Sequence, residues 1–173
     1  MSKLQIMIDL ETLGNNFIVQ VGACSFDWDF NIYHRFLKNI SIADNFNKGF
    51  SVGKGELLFW LKNTDKITWL KNTITITKAL QELTEFIKNI NPETIWSHNY
   101  DFNILWRVSN TLKQRHPINY KKWREIRTLV YLSGLKTNKK EKKKLKTHNA
   151  LDDCVYQVKY CCEAYKKLKG VKI

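Results

Sequence analysis

A chain of 173 residues, 43% hydrophobic and 26% charged, is long enough for one domain with a proper core and too short for two comfortable ones. That balance excludes a disordered or fibrous chain, and two prolines and seven glycines argue against a linker-joined assembly. A formal net charge of +13 favours a polyanionic partner, nucleic acid or an anionic membrane surface, although AT-rich coding also yields Lys-, Asn- and Ile-rich chains.

Leu4–Leu10 and Phe17–Phe26 are rich in Ile, Val and Leu, and Gly14-Asn15-Asn16 between them is a turn signal. They predict an antiparallel pair, with Asn31–Leu37 as a third strand. Residues 38–55 carry Asn, Ser and Gly and read as an irregular connection, after which Glu56–Lys62 and Thr64–Leu70 suit short helices. In Thr77–Ile90 the residues Ala79, Leu80, Leu83, Phe86, Ile87 and Ile90 share one helical face, and Pro92 follows. Thr94–Ser97 then reads as a short strand, Tyr100–Gln114 as a helix with Ile104, Leu105, Val108 and Leu112 inward, and Arg124–Leu132 as another helix. The last helix is expected from Thr147 to Leu168, with Ala150, Leu151, Cys154, Val158, Cys161 and Tyr165 as its core stripe. Strands first, then strand and helices alternating, predict an α/β fold with a mixed sheet flanked by helices.

Met1–Leu10 already contains two charges and reads as a strand, so no signal peptide is expected. No apolar run approaches the roughly 18 residues of a membrane span. Cys24, Cys154, Cys161 and Cys162 form no CxxC pair and no Cys/His cluster with zinc spacing. Buried thiols in a reduced, intracellular compartment are the simplest account. The Lys136–Lys146 run holds seven lysines and one glutamate, a net +6 of the total +13. It cannot bury itself and reads as a solvated loop, either a phosphate contact or a bystander.

Chemistry concentrates in three places. Asp9 and Glu11 follow an apolar strand and, by strand alternation, project from the same face while Leu10 goes to the other. Two such acids side by side are costly unless a cation holds them, and hard divalent metals take oxygen ligands. Asp101 lies where a short strand hands over to a helix, a position that an ordinary N-cap aspartate would also occupy. His148, with Thr147 as a candidate cap, opens the last helix, and Asp152 and Asp153 follow one turn later. Imidazole titrates near neutrality, which suits a general base, whereas a capping region with exposed acids is the plain structural alternative. Trp60, Trp69 and Trp96 are candidate stacking surfaces for bases, although such residues more often pack a core.

Asp-Leu-Glu-Thr at 9–12, the central Asp101, and a His-x4-Asp ending at Asp153 resemble the DEDDh exonucleases, a family with an RNase H-like fold. Ile8–Phe26 (IDLETLGNNFIVQVGACSF), Leu57–Lys62 (LLFWLK), Arg124–Leu132 (REIRTLVYL) and His148–Val158 (HNALDDCVYQV) are similar to its phage exonuclease A and bacterial RNase AS branches. The middle motif, Ser97 to Phe102, is shorter than in those branches, and Glu125 stands where they usually have Asp. The resemblance implies that Asp9, Glu11, Asp101 and Asp153 hold two Mg2+ or Mn2+ ions, with Asp9 between them and His148 as general base. It implies 3′–5′ removal of nucleoside 5′-monophosphates from single-stranded DNA or RNA. Thr12 and Leu13, next to the acidic pair, are then placed to meet the terminal sugar and base, and His98 and Asn99 the adjoining backbone.

Helical spacing from His148 favours Asp152 as its companion, four residues on. The family pattern favours Asp153. His148 is expected just before the regular helix, where the four-residue rule does not hold, so Asp153 is the expected ligand and Asp152 faces solvent or caps the first turn. A non-catalytic nucleic-acid-binding module is the alternative, and it would be expected to have lost at least one of these five polar groups. The expected partner is the 3′ end of a single strand and not a membrane, in the cytoplasm of a bacterial or phage-infected cell. A homo-oligomer stays open.

Overall fold

The computed structural model describes residues 3–136 and 148–170. Apart from Lys136, the lysine run lies outside the described residues, as does Thr147.

Strands β1 (Gln5–Gly14) and β2 (Phe17–Phe26) pair antiparallel across a tight turn at Asn15 and Asn16, with Asp9 opposite Gly22 and Glu11 opposite Gln20. β3 (Ile32–Ile40) continues antiparallel beside β2, and β4 (Thr73–Ile74) adds in parallel to β3. On the other side of β1 lie the parallel strands β5 (Ile95–Ser97) and β6 (Trp123–Glu125), which gives the order β4-β3-β2-β1-β5-β6. The predicted mixed sheet is therefore present, and β1 and β2 at its centre are covered on both faces.

Helices α1 (Ile42–Asn47), α2 (Lys54–Lys62), α3 (Ile76–Ile90), α4 (Asn99–Thr111), α5 (Ile126–Ser133) and α6 (Ala150–Leu168) complete the described fold. No helix among the described residues is long and apolar enough to cross a membrane. Alternation along β1 sorts its side chains between two cores. Ile6, Ile8 and Leu10 join α3's Leu80 and Leu83 on one face. Met7 joins Cys154, Val158 and Cys161 of α6 on the other. Asp9 and Glu11 share Met7's parity, so they sit under α6.

Several elements differ from the sequence reading. β1 runs on to Gly14, which places Asp9 and Glu11 inside the strand, because ladder pairing with β2 continues whatever the side chains are. Residues 38–55 are more regular than composition suggests. They finish β3, form α1 and begin α2; α1 is capped by the Ser41 hydroxyl, which accepts from the Asp44 N–H at 3.2 Å. Thr64–Leu70 holds only a 3-10 turn at Thr64–Lys66, because Trp69 dives into the core at 3% exposure instead of extending a helical face. Arg124 and Glu125 belong to β6, and the Glu125 carboxylate caps α5 by accepting from the Thr128 N–H at 2.6 Å. At α6 the cap is Asn149, whose Oδ1 accepts from the N–H groups of Leu151 (3.1 Å) and Asp152 (3.4 Å). Trp60, Trp69 and Trp96 are buried core residues and offer no stacking face. All four cysteines are buried and free, as small apolar side chains should be.

Candidate active site

Three distant segments meet where β1, α4 and the start of α6 converge. Gly22 makes the approach of α6 feasible. A Cβ there would stand 2.3 Å from the Ala150 carbonyl carbon, so only a bare backbone lets the first turn of α6 lie on β2, directly opposite Asp9. Gln20 fixes the same turn by accepting from the Ala150 N–H at 2.7 Å.

His148 precedes the helix at φ +98°, a left-handed conformation that a non-glycine residue adopts at a cost of about 1–3 kcal/mol. Its ring packs edge-on against Phe59 at 4.9 Å between centroids, and its N–H donates to Asp153 Oδ2 at 3.3 Å. Because His148 lies outside α6, the four-residue helical rule does not govern its neighbours. Asp153 points inward at 9% exposure, while Asp152 is exposed. Ligand atoms of Glu11, His148 and Asp153 all lie within 4.8 Å of one another.

Asp9 lies beside this group and accepts from Gln157 Nε2 at 2.6 Å. Asp101 is buried in the first turn of α4, where its Oδ2 has no hydrogen-bond partner among the described residues. Burial, followed by the charges of Asp101, Glu11 and Asp153, pushes Asp9 well above the ordinary carboxylate range, and the Gln157 amide offsets only part of this. Asp101 is pushed up to about 7, again chiefly by burial, with the His98 backbone N–H and the Arg127 charge opposing and Asp153 reinforcing the rise. Mutually repelling, oxygen-rich groups of this kind, joined by one imidazole and no thiolate, fit a hard divalent cation.

An open cavity of ≈ 380 Å³ adjoins the carboxylates, lined in part by Glu11, Thr12, Glu56, Phe59, Tyr100 and His148. Thr12 is half-buried there, and its carbonyl accepts from Trp60 Nε1 at 3.0 Å. Leu13 instead points into the core at 6% exposure. His98 is the N-cap residue of α4 and Asn99 its exposed first residue. Arg127 Nε lies 3.2 Å from His98 Nδ1 and 3.3 Å from Glu125 Oε1, leaving an arginine 65% exposed beside Asp101.

Arg127, Gln157, Phe59 and Tyr100 are absent from the sequence-based candidates. Gln157 had a usable signal, since it lies four residues after Asp153 on the same face of α6. The others come from segments whose proximity no local pattern encodes.

The sheet order and the placement of four carboxylates with a histidine define an RNase H-like fold carrying the acidic pattern of DEDDh exonucleases. The chain belongs to the Rv2179c-like family, described as a 3′–5′ exoribonuclease domain, whose model matches residues 4–165. Its fold is similar to that of a product-bound exonuclease I, with TM-score 0.63, 13% identity and coverage of 96% of this chain and 44% of that one. E. coli exonuclease I in complex with a 5cy-dT13 oligonucleotide gives TM-score 0.58 and 14% identity, covering 98% of this chain and 42% of that one. The complex with dA16 gives TM-score 0.52 and 15% identity, covering 96% and 40%. This chain thus spans less than half the length of the exonuclease I chains it matches. No curated protein matches it in sequence.

Proposed function

We propose that this chain is one exonuclease domain, dependent on divalent metal. It removes nucleoside 5′-monophosphates from the 3′ end of a single strand and works in the cytoplasm. The observation that carries the reading is the convergence of Asp9, Glu11, Asp101 and Asp153 into one buried, self-repelling cluster, with the half-buried His148 at its edge beside an open cavity.

Asp9, Glu11, Asp101 and Asp153 would hold two Mg2+ or Mn2+ ions. When bound, such ions supply positive charge to the scissile phosphate and make water a better nucleophile. His148 takes the proton of the attacking water. Its backbone, tied to Asp153, and its ring, packed on Phe59, keep it at the mouth of α6 for that role. Phe59 and Tyr100, 40% and 43% exposed, line the cavity and would offer faces to the terminal base, with Thr12, on the same lining, meeting the sugar. Leu13 acts from beneath as an anchor for Thr12. Arg127, steadied by His98 and Glu125, offers its free guanidinium edge to a phosphate, a geometry that arginine suits. Asn99, the first residue of α4 after the His98 cap, would approach the adjoining backbone.

A cavity of ≈ 380 Å³ is of a size to receive one terminal nucleotide. The family description names RNA, whereas the solved exonuclease I complexes hold dT13 and dA16. The dT13 and dA16 of those complexes, which cannot pair with themselves, support an unpaired strand here. The test is release of 5′-monophosphates from 5′-labelled single-stranded RNA and DNA in Mg2+, Mn2+ or EDTA. A ladder shortening from the 3′ end only with metal is expected. Hydrolysis that persists in EDTA, or tight binding without any hydrolysis, overturns the reading.

A further inference from the structure

Helix α4 presents different sides to different surroundings. Tyr100 lines the catalytic cavity and Asp101 joins the carboxylates, while Phe102 and Trp106, one turn apart, line a second cleft. This cleft, of ≈ 660 Å³, runs between α3, α4 and residues 115–121. Lys88, Arg115 and Lys121 line it together with Trp106 and Tyr120, and no carboxylate does. Among the described residues none of these three cations is in an ion pair.

The aromatic lining is ordered. Phe102 stacks on Trp123 at 4.4 Å, and the His116 ring lies 4.8 Å from Phe102 and 5.7 Å from Trp106. His116 is itself held, since its Nδ1 lies 2.8 Å from the carbonyl oxygen and 3.1 Å from the backbone nitrogen of Ile118. Trp106 and Tyr120 nevertheless remain 51% and 71% exposed. Leaving large rings in water forgoes about 25 cal/mol for each Å² of apolar surface that burial would remove. Exposed rings interleaved with unpaired cations, and free of acids, are complementary to stacked bases and their phosphates.

We propose that this cleft is a second binding site for single-stranded nucleic acid, with bases on Trp106 and Tyr120 and phosphates on Lys88, Arg115 and Lys121. It holds the 5′ part of a strand whose 3′ end lies in the catalytic cavity. The proposal rests on the exonuclease reading for the choice of ligand and is tested separately from it.

Oligouridylates of roughly 4 and roughly 16 nucleotides are titrated in EDTA from about 50 to about 200 mM salt. The proteins are the wild type, Trp106→Ala, Trp106→Phe and the triple variant Lys88→Gln/Arg115→Gln/Lys121→Gln, each first checked for an unchanged circular dichroism spectrum and melting temperature. The wild type should bind the longer strand more tightly. Trp106→Ala should weaken that binding about tenfold, or about 1.4 kcal/mol, and leave the short strand unaffected, while Trp106→Phe recovers most of it. The triple variant should lower the log–log salt slope by about 2, at about 0.7 for each phosphate contact. With Mg2+, KM for the longer strand rises while kcat stays constant. Binding of the longer strand within twofold of wild type by both variants, with an unchanged slope, overturns the proposal. So does a Trp106→Ala variant that changes only oligomeric state, which would make the cleft an interface between copies. Length-dependent binding without hydrolysis would sink the exonuclease reading and leave the cleft standing.

Discussion

Asp9, in the middle of β1, and Asp27, just past the end of β2, are both buried aspartates, and their surroundings could hardly differ more. Asp27 accepts from the N–H groups of Asp29 (2.9 Å) and Asn31 (3.0 Å), the Asn31 amide (3.0 Å) and the Tyr33 hydroxyl (2.7 Å). Burial pushes its carboxyl up, yet the hydrogen bonds from Asn31, Tyr33 and Asp29 win and hold it below the usual range. Asp9 has one amide donor and three carboxylate neighbours, and it is pushed well above that range. Both side chains have little exposed surface, but Asp9 is the more deeply desolvated, so depth and the supply of donors act together. A carboxylate that the chain completes by itself fastens a turn, and one that it leaves incomplete is available to a cation.

The largest test of this contrast is catalytic. Asp9→Asn and Asp153→Asn should each lower turnover by orders of magnitude, while raising the melting temperature of the metal-free protein by relieving repulsion. Asp152→Asn should stay within about tenfold, or about 1.4 kcal/mol of barrier. Steady-state rates at saturating Mg2+ and melts in EDTA check both. A reversed ranking of the two neighbouring aspartates moves the ligand by one residue.

Next in size is the pH dependence of the metal-free protein. Asp101 has a folded pKa of about 7, above its value in the unfolded chain, so between the two the folded state binds more protons. Its contribution is therefore fully present at low pH and is lost as pH rises toward about 7. Melts in EDTA should fall by several degrees across that window, and Mg2+ should restore more at the alkaline end, where protons no longer compete. A melting temperature that rises with pH throughout the window would contradict the cluster electrostatics.

Asp27→Asn probes the completed carboxylate. Loss of its charge-assisted bonds should cost about 1.5–3 kcal/mol in urea unfolding at neutral pH, with kcat unchanged. Because the folded pKa of Asp27 is depressed, its contribution is present above the unfolded value and is lost as pH falls through the folded one, opposite in sign to Asp101. The smallest effect concerns Arg127→Lys, which keeps the charge and loses the paired donor edge. A rise in KM within about tenfold is expected, and a fall in kcat alone would place Arg127 away from the bound phosphate.

Local patterns were legible wherever their physics is local. Strand alternation put Asp9 and Glu11 on one face, and helical periodicity found α3 within one residue, because both follow from backbone geometry alone. Trp69 defeated the helix expected at Thr64–Leu70, since burial of an indole outweighs the weak preferences of a short segment. β6 is three residues long and exists only because β5 offers it a partner edge, so no pattern marks it. Leu13 was legible as a neighbour of the acids but not as a core residue, because the irregular pairing after Glu11 resets the alternation.

By itself the sequence determined which acids and which histidine are available, their spacing along the chain, and the mixed α/β architecture, since these depend on residue type and short-range geometry. Tertiary structure alone decided that α6 lands on Gly22 and that Asn149 caps it. It also decided that Gln157 reaches Asp9 and that Arg127 stands beside Asp101. The reason is physical. Carboxylates repel one another unless packing elsewhere forces them together, and that force comes from two hydrophobic cores built of residues scattered over the whole chain.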